Sequence, residues 1–428
     1  MVYRFFLTTV FILVFKLAFS QYQGPVPAII EGFGAEGPYQ VATDYVASPL
    51  WPGMNVTVYS PFGADLPAPV IFLAHGFNAN YSFIYHNLMH HFASRGFAVV
   101  FSPYPGMAAS LLTPVTILER YDVLWEGFRQ AVREFPDLID STRIGFIGHS
   151  FGGGAVPSMT KRAINAGWGA NSCFMMPLAP WYFYDISEEE LQNFAPQTKL
   201  VMQVYEGDIV NDHRLAIDIF DHISIADAEK DFVEVFSDNI EGYFYNADHG
   251  LPETFAVYNA LDSYAVFRLA DALADYSLKG IQKAKAVALG NGSPEQTNMG
   301  PLPPLLVSDN PFPAIPPSNY LYRCDNYLNP RIDFCAGLGV DDPEILNGDI
   351  SIFPNPAHDL LFVEFKAGLA NKFTTTIYDL LGRQLSNREF EPCGTFSLNV
   401  SGLNEGLYLV RIQSGEVVFQ EKFVVRKN

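Results

Sequence analysis

Basic residues are scarce in this chain: 26 Lys and Arg face 46 Asp and Glu over 428 residues, a formal charge of −20. Phosphate contacts are built from clusters of Lys and Arg, so this deficit excludes nucleic acid and argues against an anionic membrane as partner. Charged residues of both signs reach only 17% while hydrophobic residues reach 49%, which excludes general disorder and leaves ample apolar surface for a core. Cysteine is rarer still. The four present, Cys173, Cys324, Cys335 and Cys393, cannot frame a disulfide scaffold in a chain of this length. Long apolar runs are missing beyond the amino terminus, where the basic start Met1-Val-Tyr-Arg4 leads into Phe5 to Phe15 and then Lys16-Leu-Ala-Phe-Ser20. A membrane anchor needs about 20 uninterrupted apolar residues and Lys16 cuts this run short, so residues 1–20 read as a signal peptide cut near Gln21.

What is present is a strong local motif. The apolar stretch from Ile144 to Ile147 runs into Gly148-His-Ser150-Phe-Gly152, the G-x-S-x-G pattern that sets a serine on a sharp strand-to-helix turn. The flanking glycines fit a backbone with no room for Cβ atoms, and Gly153 and Gly154 let the next helix approach the sheet. Arg143 to Gly148 reads as a buried strand and Phe151 to Ala166 as a helix, with Pro157 weakening its second turn.

A serine hydroxyl needs a base, and that base needs an orienting acid. The strand Lys199 to Tyr205 opens into Glu206-Gly-Asp208, and the short strand Phe232 to Phe236 is followed by a loop carrying Asp248-His249. The order Ser150, Asp208, His249 is that of the α/β-hydrolases. Asp212 competes as the acid, but Asp208 follows its strand more closely and is held by rigid scaffold. Asp248 reads as a surface charge. For the oxyanion, the candidate donors are the backbone N–H of Phe151 and that of Phe77, which follows the strand Pro69 to Ala74 through His75 and Gly76. His75 itself reads as a packed, hydrogen-bonded histidine.

Together these residues resemble the cutinase and polyester hydrolase branch of the α/β-hydrolases, which includes enzymes acting on poly(ethylene terephthalate). The likeness covers roughly residues 24 to 336. It rests on Gly148 to Gly154, His75-Gly76-Phe77, Glu206 to Asp208, Asp248-His249 and Ala179-Pro180-Trp181. The resemblance implies an α/β fold with a mostly parallel sheet, a Ser150–His249–Asp208 triad acting through an acyl-enzyme, and Phe77 and Trp181 holding the substrate. It also implies a cysteine-closed terminal loop, here Cys324 to Cys335, worth roughly 3 kcal/mol if bridged. Phe151 stands where that family usually carries methionine. A Pro- and Gly-rich segment between Gly280 and Asn319 is extra and reads as a surface loop.

After Cys335 the texture changes. Strands with period-two alternation, such as Leu360 to Phe365 and Leu407 to Ile412, are spaced by turn residues. Ile350 to Pro356, Ile377 to Arg383, Val400 to Leu403, Gly406 to Tyr408 and Lys422 to Lys427 resemble the C-terminal sorting domain of type IX secretion substrates. That likeness implies a small all-β sandwich read by the secretion machinery, with release or attachment at the cell surface. From Asp349 onward there are nine acids and eight bases, so the negative charge sits on the larger part.

The expected division is therefore a signal peptide (1–20), a catalytic domain (21–336), a linker (337–348) and a sorting domain (349–428). The expected activity is a secreted serine carboxylester hydrolase acting on neutral esters such as cutin-like or synthetic polyesters. A lipase or short-chain esterase is the runner-up, and a non-catalytic surface-binding protein the alternative of another class. The chain is read as a monomer without cofactor or metal. His86, His90 and His91 share a predicted helix, and the His86–His90 pair at i, i+4 could ligate a metal, but no glutamate or third ligand at proper spacing accompanies it. Cys173 reads as a buried free thiol and Cys393 as free. Tyr182, Phe183 and Tyr184 could either extend an aromatic groove or cover the core.

Overall fold

Seven consecutive buried residues, Ala68–Ala74, mark the kind of strand that packs on both faces. The computed structural model describes residues 21–107, 114–311, 313, 315–337, 350–365, 372–379, 384–390, 395–414 and 417–427. The signal peptide expected at 1–20, nearly all of the linker expected at 337–348, and Cys393 lie outside them. The chain divides into two compact units, one running to Ile332 apart from residues 306–308, the other from Asp333 onward.

In the first unit the strands are β1 (Gln40–Ala47), β2 (Asn55–Phe62), β3 (Ala68–Ala74), β4 (Ala98–Phe101), β5 (Ile139–His149), β6 (Ser172–Leu178), β7 (Thr198–Tyr205) and β8 (Lys230–Val235). They lie in the order β1-β2-β4-β3-β5-β6-β7-β8 within a nine-stranded sheet. β1 pairs with β2, and β2 with β4, antiparallel; from β4 through β8 each neighbouring pair is parallel. Five helices matter for the site: α1 (His86–Ser94), α2 (Ile117–Glu134), α3 (Phe151–Asn165), α4 (His213–His222) and α5 (Arg268–Lys279). α2 begins at a capping box, Thr116 accepting from the Glu119 N–H while the Glu119 carboxylate accepts from the Thr116 N–H. α5 ends at Gly280 in the left-handed region, φ 70°, the usual glycine stop. No helix among the described residues is long and apolar enough to cross a membrane.

The expected class, an α/β-hydrolase fold with a mostly parallel sheet plus a small β sandwich, is corrected by this inventory. The main sheet is mixed, a two-stranded antiparallel ribbon (Asp238–Ile240 with Tyr243–Tyr245) stands beside it, and two further antiparallel sheets follow. Strands hold more of the described residues than helices do. Buried apolar runs announce parallel strands in a sequence, whereas β1 is exposed or half-buried throughout and carries no such run.

The second unit holds a three-stranded sheet (Ile350–Phe353, Leu360–Phe365, Thr395–Asn399) and a four-stranded one (Gln384–Phe390, Phe373–Tyr378, Gly406–Ser414, Val417–Val425), antiparallel throughout. Alternate residues of these strands, Leu361 and Val363, Val410 and Ile412, meet in one buried cluster with Phe373, Ile377 and Phe423. Period-two patterning puts them on one face.

Candidate active site

β5 delivers Ser150 to the first residue before α3, with φ 55° and ψ −118°. Few side chains tolerate that backbone, and it aims the side chain away from both elements. The two glycines of the motif are required by packing. A Cβ on Gly148 would run into the carbonyl of Gly152, and one on Gly152 into the carbonyl of Ala74, both far inside van der Waals contact. Ser150 is pinned by its N–H to the Leu178 carbonyl at 2.9 Å, while its own carbonyl accepts the Trp181 and Gly154 N–H groups at 2.9 Å.

Asp208 lies three residues past β7 and is fully buried. One carboxylate oxygen accepts the N–H groups of Val210 (2.7 Å) and Asn211 (3.2 Å), and the other faces His249 Nδ1 at 2.8 Å. The Gly207 N–H donates to the Ala247 carbonyl at 2.9 Å, tying the two loops together. His249 Nε2 then stands 2.9 Å from Ser150 Oγ. A carboxylate only accepts, so the proton belongs on Nδ1 and the Nε2 lone pair faces the serine hydroxyl.

The other candidates separate cleanly. Asp212 caps α4, accepting the Arg214 N–H at 3.0 Å, and pairs with the Arg214 guanidinium at 2.6 Å and the Cys324 N–H at 3.0 Å. Asp248 accepts from Asn246 (2.6 Å) and the Gly250 N–H (2.9 Å) in its own loop. His75 is buried, stacks on Tyr104 with centroids 3.9 Å apart, and accepts the Tyr104 N–H at 3.2 Å; burial pushes its pKa down to about 3. His91 bonds Asp271 at 2.9 Å, and no group of three His, Cys, Asp or Glu among the described residues is arranged to hold a metal ion.

Phe77 is 39% exposed, its ring 6.1 Å from that of Phe151, which in turn stacks on Trp181 at 5.5 Å. The three rings form one continuous aromatic row through Phe151, the residue after Ser150. Tyr182 and Phe183 are buried, and the Tyr182 and Tyr184 hydroxyls donate to the Arg323 and Leu328 carbonyls, so they cover core rather than groove. Cys324 and Cys335 are in the disulfide form. Cys173 is free and buried, its thiol pushed up to about 12 by burial.

Sequence reasoning passed over Asn211, whose side-chain amide donates to the Ala179 carbonyl at 2.9 Å and lies 3.4 Å from Ser150 Oγ. No pattern marks it. It also left unread His149, inside the serine motif itself, and Tyr85, to which His149 bonds at 2.9 Å.

Residues 351–426 match the family described as the secretion system C-terminal sorting domain. A curated relative is the endo-acting ulvan lyase of Formosa agariphila, 31% identical over 90 residues, which is 21% of this chain. The chain thus spans only 17% of the length of that protein. These findings correct the expected activity. The relative is named a lyase, not a carboxylic ester hydrolase, and the family match ends at the sorting domain and lends nothing to the cutinase-like reading of residues 24–336. Carboxylester hydrolysis, with its polyester and lipase variants, is therefore withdrawn. What the match establishes is the route: the chain carries a type IX sorting domain, engages that secretion machinery, and is delivered to the cell surface or the extracellular space.

Proposed function

We propose that Ser150 is a nucleophile activated by His249 and oriented through Asp208, and that the exported protein works by forming a covalent adduct at the Ser150 oxygen. The observation that carries this is the unbroken set of contacts from Asp208 Oδ2 to His249 Nδ1 (2.8 Å) and from His249 Nε2 to Ser150 Oγ (2.9 Å), at a residue with φ 55°. As Oγ attacks an electrophilic centre, its proton passes to His249 Nε2, and the buried Asp208 carboxylate balances the imidazolium. Departure of the leaving group takes that proton back. An oxygen on the attacked centre would gain negative charge, and the Phe77 and Phe151 N–H groups are the proposed donors to it, each worth on the order of 3 kcal/mol of transition-state stabilisation. The lyase activity named for the Formosa agariphila relative is not carried over, because similarity over 17% of that protein does not transfer a site.

The test is labelling of the secreted protein with a fluorophosphonate, which captures activated serines irrespective of substrate. Labelling of the wild type and none of Ser150→Ala is the expected result. An unlabelled wild type, or labelling that survives Ser150→Ala, removes the proposal.

A further inference from the structure

Behind the candidate triad lies a second set of buried polar side chains that the nucleophile reading leaves unused. Tyr85, on the turn before α1, is 1% exposed, and His149, the last residue of β5, is 2% exposed. His149 Nε2 lies 2.7 Å from the backbone carbonyl of His249, and His149 Nδ1 lies 2.9 Å from the Tyr85 hydroxyl. The Gly76 N–H donates to the same hydroxyl at 2.9 Å. Glu253 approaches His149 Nδ1 only to 3.6 Å, beyond hydrogen-bond reach, but its carboxyl hydrogen-bonds the Tyr85 hydroxyl.

Chemistry fixes the direction of the bonds at His149 and at Gly76. A carbonyl oxygen only accepts, so His149 Nε2 carries a proton. Burial, and then the neighbouring His249, hold the ring well below the usual histidine range, so it is neutral and Nδ1 is a lone pair. Nδ1 can therefore only accept, from the Tyr85 hydroxyl, whose oxygen accepts from Gly76 and whose one proton the Glu253 carboxyl also contacts. The run is Gly76 N–H to Tyr85 O–H to His149, then His149 N–H to the His249 carbonyl. A Cβ at Gly76 would crowd this approach, lying 3.0 Å from His149 Nδ1 and 3.2 Å from the Tyr85 hydroxyl.

We propose that Tyr85 and His149 are positioning residues that lock the His249 loop to the loop of Gly76 and Phe77, fixing base and oxyanion donor on either side of Ser150. This rests on Ser150 being the nucleophile. Each end of the run attaches one residue from, or at, a group whose placement decides the rate: the carbonyl belongs to His249 itself, and Gly76 precedes Phe77. His149 is joined by a peptide bond to Ser150.

The test uses the full secreted chain and fluorophosphonate kinetics, separating the maximal inactivation rate from the probe affinity. Tyr85→Phe and His149→Leu each remove one link. Since an ångström of misplacement costs about 100-fold, each should lower the maximal rate by about 10- to 100-fold while probe affinity stays within about threefold. His149→Gln keeps a donor and an acceptor about as far apart as the two ring nitrogens and should retain the rate within about threefold. Links in one run fail together, so the double variant should be no slower than the slower single variant. Wild-type rates in Tyr85→Phe and His149→Leu, or losses that multiply in the double variant, overturn the proposal. Tyr85→Phe deletes a single atom and keeps the test open if His149→Leu does not fold. An unlabelled wild type, in contrast, removes the nucleophile reading and this one with it.

Discussion

At the scale of residues, two carboxylates four positions apart do different work because of what surrounds them. Asp208 is fully buried and spends one oxygen on two backbone N–H groups, leaving the other for His249. Asp212 is spent on capping α4, on Arg214 and on the Cys324 N–H. Asp208→Asn should keep the shape but favour the wrong imidazole tautomer, lowering the fluorophosphonate labelling rate by on the order of 10⁴-fold. Asp212→Ala should leave that rate within about threefold but cost about 1 kcal/mol for the lost cap, read as a lower urea midpoint. Ser150, Asp208 and His249 could each be named from a local signal, a motif or a strand end. Asn211, Tyr85 and His149 could not be given a role that way. Their partners lie 32, 64 and 100 positions away in sequence, and nothing in the intervening chain marks the pairing.

At the scale of elements, the turn between β5 and α3 is governed by close approach. α3 starts so near β3 that a Cβ on Gly152 would overlap the Ala74 carbonyl, and backbone on backbone has no flexible end to yield. Gly152→Ala should therefore destabilise the first unit by about 1–3 kcal/mol and displace Ser150, so that labelling falls even in protein that remains folded, as judged by circular dichroism. The parallel strands β3, β5 and β7 were legible because burial on both faces leaves a continuous apolar run. The antiparallel edge was not, because β1 alternates weakly and is nowhere fully buried, and that is where the class of the sheet departs from expectation. Pro157 sits inside α3 without ending it, since tertiary packing on a buried helix outweighs local propensity.

At the scale of the whole molecule, charge separates the parts of this chain and sets one of its responses. Nearly all of the net −20 lies before Asp349, and there His91 is enclosed by Asp271 at 2.9 Å and Glu36 at 3.5 Å, with Arg95 also on Asp271. Burial opposes the imidazolium, but the Asp271 and Glu36 carboxylates outweigh it and raise His91 to about 9. A group whose folded pKa is raised stabilises fully below its unfolded value, about 6.5, and loses that contribution as pH climbs through the folded value. The wild-type urea midpoint should therefore fall between pH 7 and pH 9.5 more steeply than that of His91→Gln, and equal slopes would show the pair to be without net effect. Export belongs to the other part. The second unit has its own core of Leu361, Val363, Phe373 and Val410, and residues 351–426 carry the sorting signal. Deleting 349–428 should leave the remaining chain inside the cell while a cell lysate still labels at Ser150, because the candidate triad lies wholly in the first unit. Normal appearance in the medium would contradict the sorting role, and loss of labelling in a soluble, folded truncation would mean that the site needs more than the unit that contains it.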